Sequence, residues 1–420
     1  MAMAMPTSIA MGIKLRQRFD EHLRSQAAML KNGIIWIVGL AIAVASGLTA
    51  VGAVAKDTAA ELAVSLQPAN GFASERLASN SLKAAVAAND GQFPNSVDPA
   101  AASFAKQAFL SEPVTPEAIA VLALGSTKGK KRELMHEAFA LSRRQQLVIG
   151  WMIVDAGTRD DIPAILGHYD TMLRTSSSAA SVVIPTMAGA LANRNFVEPF
   201  ADLLSQSPPW ASRFWDAVVV TPEAIENAAR LRKMLYTADE IKENFRDVDL
   251  VYALVNNQRF EVAENLYKLL APQSAKTSLL ENGSFEFEPE YPPFDWQLFS
   301  NGEYGAAVTG GNLQLSAIPS SGGLFARQLV KLPSAILTIS VKSNTNIPKD
   351  TNISLDIKCA EILDNAPRPI RIALIDRLTR QQISNQQSGC SFYWLEIVGR
   401  SAESGDGFDI GLDSVSLQLK

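Results

Sequence analysis

The longest apolar run of the chain covers residues 34–55. It is 22 residues long, contains no charged side chain and is bounded by Lys31 and Lys56. A helix rises about 1.5 Å per residue, so a helix of this length crosses the roughly 30 Å hydrocarbon core of a bilayer. The pattern predicts one transmembrane helix at 34–55, and everything after it must then lie on one side of the membrane.

The charges beside this run indicate its orientation, because Lys and Arg close to a span are retained on the cytoplasmic side. We expect residues 1–33 to form a basic cytoplasmic tail. The bulk of the chain would then be periplasmic, in a single-pass protein of a bacterial inner membrane. The charged residues of the tail are Lys14, Arg16, Arg18, Arg24 and Lys31, opposed by Asp20 and Glu21.

A cleaved signal peptide is the alternative for the same run, because Ala53-Val54-Ala55 has the small-x-small form of a cleavage site. The apolar region of a signal peptide usually has roughly 7–15 residues. The run in this chain is longer, which favours a retained anchor that contacts membrane lipid through one helix.

Residues 57–272 have apolar positions at helical spacing and are rich in helix-forming residues. Asp98-Pro99, Thr115-Pro116 and Thr221-Pro222 each place a capping side chain before a proline at the first helical position. The connections are short, so consecutive helices should be neighbours. The predicted helices are 57–67, 72–89, 99–111, 116–126, 131–142, 145–157, 160–173, 179–192, 195–205, 210–219, 222–235, 238–256 and 258–270.

Residues 279–420 have the alternation of strands instead, as in Leu313, Leu315 and Ala317. Clusters of Gly, Asn, Pro and Ser interrupt the alternation, and Asn301-Gly302 is typical of a two-residue hairpin turn. The predicted fold is therefore multidomain, α then β, with a C-terminal β-sandwich of the jelly-roll kind. The predicted strands are 284–288, 295–299, 303–309, 312–318, 324–331, 335–342, 352–360, 369–375, 391–399 and 407–419.

The composition limits which partners and cofactors we expect for this protein. The net charge is −5 and no Lys/Arg block lies outside the tail, so nucleic acid is not an expected partner. Cys359 and Cys390 are the two cysteines, and an oxidising compartment favours a disulfide, with two buried thiols as the alternative. The sequence contains no phosphate loop or nucleophile elbow, so we expect a protein that is not an enzyme and has no cofactor.

Residues 260–272 look like a tetratricopeptide helix that ends in its proline, and residues 161–170 are a looser version. The region resembles tetratricopeptide-like α-solenoids, although no clean period of about 34 residues survives. This resemblance implies a platform for a protein partner. A plain helical spacer is the alternative.

The segments Asn282-Gly283-Ser284-Phe285-Glu286 and Pro293-Phe294-Asp295-Trp296 resemble the opening of galactose-binding-like jelly rolls, which include many carbohydrate-binding modules. Residues 411–417 are similar to their last strand. The resemblance implies sugar recognition by aromatic faces, with core burial as the alternative for each ring. The candidate rings are Tyr291, Trp296, Tyr304, Tyr393 and Trp394. It also implies, in some members, a structural calcium, for which Glu286 and Asp413 are the matching acidic positions.

The order of segments is similar to that of single-span, tetratricopeptide-like proteins of proteobacteria. From it we expect a membrane-anchored periplasmic binding or scaffold protein, in polysaccharide assembly or export, whose sandwich contacts a glycan or another envelope component. A purely structural subunit of a larger membrane complex is the alternative. A glycan-active enzyme is a third hypothesis, since glycosidases use two carboxylates and several lie close together in the sequence. These are Glu286, Glu288, Glu290 and Asp295.

Overall fold

A computed structural model describes residues 36–236, 246–271, 279–385, 389–403 and 406–420. The chain forms two compact units, the first ending at Ser176 and the second comprising Ser177–Lys420. The predicted cytoplasmic tail, 1–33, and the predicted junction at 273–278 lie outside the described residues. The domain boundaries drawn from composition stay a prediction.

The first unit contains eight helices within its described part. Helix α1 has 20 residues and is long and apolar enough to cross a membrane. The bounds are α1 Trp36–Ala55, α2 Ala60–Leu66, α3 Gly71–Ala88, α4 Pro99–Ser111, α5 Pro116–Leu124, α6 Lys128–Leu141, α7 Gln146–Gly157 and α8 Ile162–Thr175.

Small side chains let the helices of the first unit approach closely. Ala105, Ala108 and Ala118 are completely buried, beside the larger Met135 and Val148. Each helix from α3 to α7 contacts the next one, and α5 also contacts α3 and α7. Such layering is that of an α-solenoid. The assignment to tetratricopeptide repeats stays a prediction.

The second unit begins with six α-helices in its described part. Phe200 and Phe214 stack with ring centroids 4.9 Å apart in the core of this helical segment. The predicted helices of both units have counterparts in the structure, apart from residues 238–245, which lie outside the described part. The bounds are α9 Ala180–Ala190, α10 Val197–Leu204, α11 Ala211–Val218, α12 Ile225–Tyr236, α13 Asp247–Asn256 and α14 Phe260–Leu270.

A β-sandwich follows, which confirms the predicted α-then-β fold class. Two antiparallel five-stranded sheets have the orders β1-β4-β9-β6-β7 (sheet A) and β2-β3-β10-β5-β8 (sheet B). The strands are β1 Gln297–Leu298, β2 Tyr304–Thr309, β3 Asn312–Ala317, β4 Gly322–Lys331, β5 Ile336–Ser343, β6 Thr351–Cys359, β7 Ile370–Ala373, β8 Leu378–Ser384, β9 Phe392–Ser401 and β10 Phe408–Leu419.

The strand predictions were wrong at two places. Residues 284–288 form turns and bends instead of a strand, and β8 was not predicted. The turn at Asn301-Gly302 exists, since the N–H of Asn301 donates to the carbonyl of Tyr304, but β1 and β2 on its two sides belong to different sheets. The turn nevertheless closes a short antiparallel hairpin, because Ser300 bridges Gly305 and the N–H of Ala306 donates to the carbonyl of Phe299 at 3.0 Å, and this hairpin connects the two sheets.

A disulfide joins Cys359 at the end of β6 to Cys390 just before β9, as the sequence predicted. The two cysteines are 31 residues apart in the chain. The bridge ties the connection between β6 and β9 to the sheet that both strands share.

Helix α14 and the turn before it pack against the sandwich. Phe260 stacks on Phe392 of β9 at 5.2 Å, and Lys331 of β4 pairs with Glu261 at 2.7 Å. The side-chain carbonyl of Gln258 accepts the backbone N–H of Ile362 at 3.0 Å. The end of the helical segment and the sandwich therefore form one continuous packed body within the second unit.

Candidate functional site

A cavity of about 660 Å³ lies at one edge of the sandwich, next to α14. Three parts of the second unit form its wall. Tyr267 comes from α14, the segment 280–295 precedes β1, and Ser414, Ser416 and Gln418 come from β10. The cavity is thus built where the first residues of the sandwich meet its last strand.

Gly283 brings these two parts into contact. Its carbonyl accepts the N–H of Val415 at 2.8 Å, and a Cβ atom at position 283 would overlap the carbonyl oxygen of Val415. Glycine is therefore required here for the close approach of two backbones.

The aromatic residues that follow Gly283 are divided between the core and the cavity. Phe285 and Trp296 are buried with ring centroids 5.5 Å apart. The side chain of Asn282 holds the next turn, because its amide donates to the carbonyl of Phe287 at 2.6 Å and its oxygen accepts the Phe287 N–H. Phe287 is consequently held at the cavity wall with 67% of its surface exposed.

Two tyrosines complete the aromatic part of the cavity wall. The ring centroids of Tyr267 and Tyr291 are 6.3 Å apart in an edge-to-face arrangement, and Tyr267 also stacks on Phe294 at 5.1 Å. Burial raises the pKa of both hydroxyl groups, so they remain protonated donors at neutral pH.

Four carboxylates line the same cavity: Glu281, Glu288, Glu290 and Asp295. Asp295 accepts the backbone N–H of Trp296 at 2.8 Å and that of Glu290 at 3.1 Å, which fixes the turn. Burial raises the pKa of Asp295. Burial, followed by the charge of Asp295, raises the pKa of Glu281 to about 7. The cavity therefore combines flat rings with many hydrogen-bond acceptors.

Of the five aromatic residues predicted for glycan stacking, Tyr291 lies in this cavity. Trp296 is 1% exposed and donates its indole N–H to the carbonyl of Asn282. Tyr393 is buried and donates its hydroxyl to Asn385 at 2.5 Å. The rings of Trp296 and Tyr393 belong to the core, so neither has a free face for a sugar.

Tyr304 and Trp394 lie elsewhere on the sandwich. Tyr304 is half-buried, packs edge-to-face on Phe325 at 5.0 Å and lines a smaller cavity of about 280 Å³. Trp394 lies on the outer face of sheet A, where the guanidinium carbon of Arg327 is 4.2 Å from its ring centroid. One face of Trp394 is therefore already occupied by a cation.

The two residues predicted for a structural calcium have different surroundings. Asp413 is held by Lys342 in an ion pair at 2.8 Å, and Glu286 is exposed and outside the main cavity. Calcium takes six or more oxygen ligands. Among the described residues, Cys359, Cys390 and Glu361 meet the spacing of a metal site, but their sulfur atoms are joined in the disulfide.

Sequence reasoning missed Tyr267, Glu281 and Phe287 as members of the site. Phe287 carried a signal, since it follows the turn-forming Asn282-Gly283 and stands between acidic residues. Tyr267 carried none, because it belongs to a helix whose approach to the sandwich is set by tertiary packing.

Solved structures that align with the C-terminal sandwich include two carbohydrate-binding modules. The structure of TmCBM61 in complex with β-1,4-galactotriose is 15% identical over 34% of this chain and 100% of that chain, with a TM-score of 0.25. A CBM4 structure is 14% identical over 34% and 99% of the two chains, with a TM-score of 0.23.

Arabinose-bound MgGH51 α-L-arabinofuranosidase is 16% identical over 33% of this chain and 26% of that chain, with a TM-score of 0.22. No family model and no curated protein matches the sequence. These identities and TM-scores say nothing about the chemistry of the site, which is argued from its own residues.

Proposed function

We propose that this protein is a membrane-anchored glycan-binding protein, and that the 660 Å³ cavity is its sugar site. The observation that carries the proposal is the convergence of three aromatic rings and four carboxylates on one opening. Sugars present apolar faces that stack on rings and hydroxyl groups that donate to carboxylates. The volume lies within the range of about 300–1,000 Å³ that is usual for small-ligand sites.

The parts of the wall have complementary roles in this proposal. Phe287 and Tyr291 provide ring surface, and Glu288 and Glu290 accept hydrogen bonds from hydroxyl groups. Among the described residues, no lysine or arginine lines the cavity. The preferred ligand is therefore a glycan without carboxylate or phosphate groups, since an anionic one would meet four carboxyl groups.

We propose binding rather than turnover at this site. Asp295 already accepts two backbone N–H groups, a structural task that restrains its carboxylate. A glycosidase needs two carboxyl groups about 5–10 Å apart on both sides of the scissile bond. Glu281, with a pKa of about 7, is the group that hydrolysis would require as an acid. Release of sugar by the wild type that disappears in Glu281→Gln would replace binding with catalysis.

Helix α1 serves as the anchor in this proposal, with the bulk of the chain in the periplasm. For the helical segment we propose a scaffold role toward an acidic part of a protein partner. A groove of about 710 Å³ on α10 and α12 is lined by Arg194, Arg230 and Lys233, with Glu198 as its one acidic residue. Within the described part of the chain, none of these three cations forms an ion pair.

Glycan-array binding by the full-length protein in mild detergent tests the sugar site. Phe287→Ala and Tyr291→Ala should each weaken binding about tenfold or more, because an aromatic contact contributes on the order of 1 kcal/mol beyond its buried area. Phe109→Ala, an exposed aromatic of the first unit, is the matched control and should bind as the wild type. Equal binding by all three variants would refute the assignment of the cavity.

A further inference from the structure

We infer that the first unit carries a second membrane contact, an apolar patch that rests on the lipid surface where α1 leaves the bilayer. The patch consists of Phe72, Phe109, Leu110 and Val114. The inference rests on the anchoring part of the proposed function and is independent of the sugar site.

The last turn of α1 is fastened to the helices that follow it. The side-chain amide of Asn70 donates to the carbonyl of Gly52 at 3.2 Å, and the Asn70 oxygen caps α3 by accepting the N–H of Ala73. Ala55 at the end of α1 packs with Ala60, Ala63 and Ala73. The first unit therefore begins at the end of the apolar helix without a flexible connection.

Phe72 lies directly at this exit, because the ammonium group of Lys56, the first residue after α1, is 5.0 Å from its ring centroid. The end of α4 reaches the same place. A Cβ atom on Gly71 would be 2.6 Å from Cγ of Glu112, so Glu112 packs on the residue next to Phe72. A short chain of contacts thus connects α1 to the end of α4.

Leu110 and Val114 flank Glu112 and are 72% and 63% exposed. Large apolar side chains exposed at neighbouring positions of the chain are typical of a binding surface. The lipid interface is the occupant that geometry favours, because the helix inserted in it ends one or two contacts away. Aromatic and aliphatic side chains beside a cationic group are the composition of such interfacial contacts.

Site-directed fluorescence tests this patch. The full-length protein is reconstituted in phosphatidylcholine vesicles, and single variants Leu110→Cys, Val114→Cys, Val44→Cys and Val154→Cys are labelled with an environment-sensitive fluorophore, with the native disulfide left oxidised. Val44 reports on α1. Val154 is the matched control, 54% exposed on α7, a helix that contacts α5, α6 and α8.

We expect a quencher in the lipid headgroup region to act several-fold more strongly at 110 and 114 than at 154, and aqueous iodide to show the reverse order. Equal iodide quenching at 110, 114 and 154, with lipid quenching at 44, would overturn the patch and leave the anchor intact. Protection of 110 and 114 from both quenchers would mean that protein covers them, and would also overturn the inference. Absence of lipid quenching at 44 would overturn the anchor together with the patch.

Discussion

Glu281 is the residue whose change should most clearly alter the stability of the second unit. It lines the cavity between α14 and β10, and burial together with the nearby charge of Asp295 raises its pKa from the ordinary value of 4.5 to about 7. The folded state therefore disfavours the ionised side chain. Glu281→Gln keeps the shape and removes the charge.

The sign and size of the effect follow from that difference. Below pH 4.5 the carboxyl group is mostly protonated in both folded and unfolded chains, so it does not lower the free energy of unfolding. As pH rises from about 4.5 to about 7, the unfolded chain ionises first, and the folded protein loses stability. Each pH unit corresponds to about 1.4 kcal/mol, which gives an upper limit of about 3 kcal/mol. Because Glu281 is partly exposed, we expect about 1–2 kcal/mol.

Denaturant unfolding of wild type and Glu281→Gln at pH 4, 6 and 8, followed by tryptophan fluorescence, measures this effect. The variant should equal the wild type at pH 4 and be more stable by about 1–2 kcal/mol at pH 8. Glu286→Gln, which removes an exposed carboxylate from the same segment, is the matched control. A constant difference between the variant and the wild type at all three pH values would refute the reasoning.

Three further changes have defined outcomes. Cys359→Ser with Cys390→Ser should lower the free energy of unfolding by about 3–4 kcal/mol in the chain-entropy model, and an unchanged midpoint would contradict it. Gly283→Ala should lower the free energy of unfolding by about 1–3 kcal/mol, because its Cβ atom would overlap Val415, and it should weaken glycan binding. Gly167→Ala is the control: this position lies inside α8 with open space around it, so the substitution should not destabilise the protein. Asn70→Ala should lower the free energy of unfolding by about 1–2 kcal/mol, because α3 loses its N-cap and α1 loses its hydrogen bond to Asn70. Hydrogen exchange at the start of α3 should become faster. Faster exchange confined to α5 would contradict this prediction.

The helices were predictable because their start signals are local. Of the three predicted cap positions, Asp98 accepts the N–H of Ala101 at the start of α4, whereas Thr115 precedes α5 without a side-chain cap and α12 begins at Ile225, three residues after Pro222. Such contacts depend on residues three positions apart, which the sequence displays directly.

The strand errors also have physical causes. Phe285, Glu286 and Phe287 imitate strand alternation, yet Asn282 and Phe285 have positive φ angles of 44° and 56°, which break an extended chain. Strand β8 lies at the edge of sheet B and buries only Ile383 among its larger side chains, so its alternation is weak.

The site could be predicted only in part, because alternation does not tell which of two sheet faces is covered. Trp296 and Tyr291 are five residues apart, and the sequence alone does not distinguish which of the two rings could stack on a sugar. Tertiary packing sends Trp296 into the core and leaves Tyr291 at the cavity. Tyr267 reaches the same cavity from a helix that only the fold brings near.

The packing interface between α14 and the sandwich determines where the chain can be cut into stable fragments. A fragment starting at residue 279 would lose the helix that shields Phe392 and Phe294, and two aromatic rings would face water. Such a fragment should self-associate, and it would also lack one wall of the cavity. A fragment starting at Ser177 retains both the covering helix and the cavity wall.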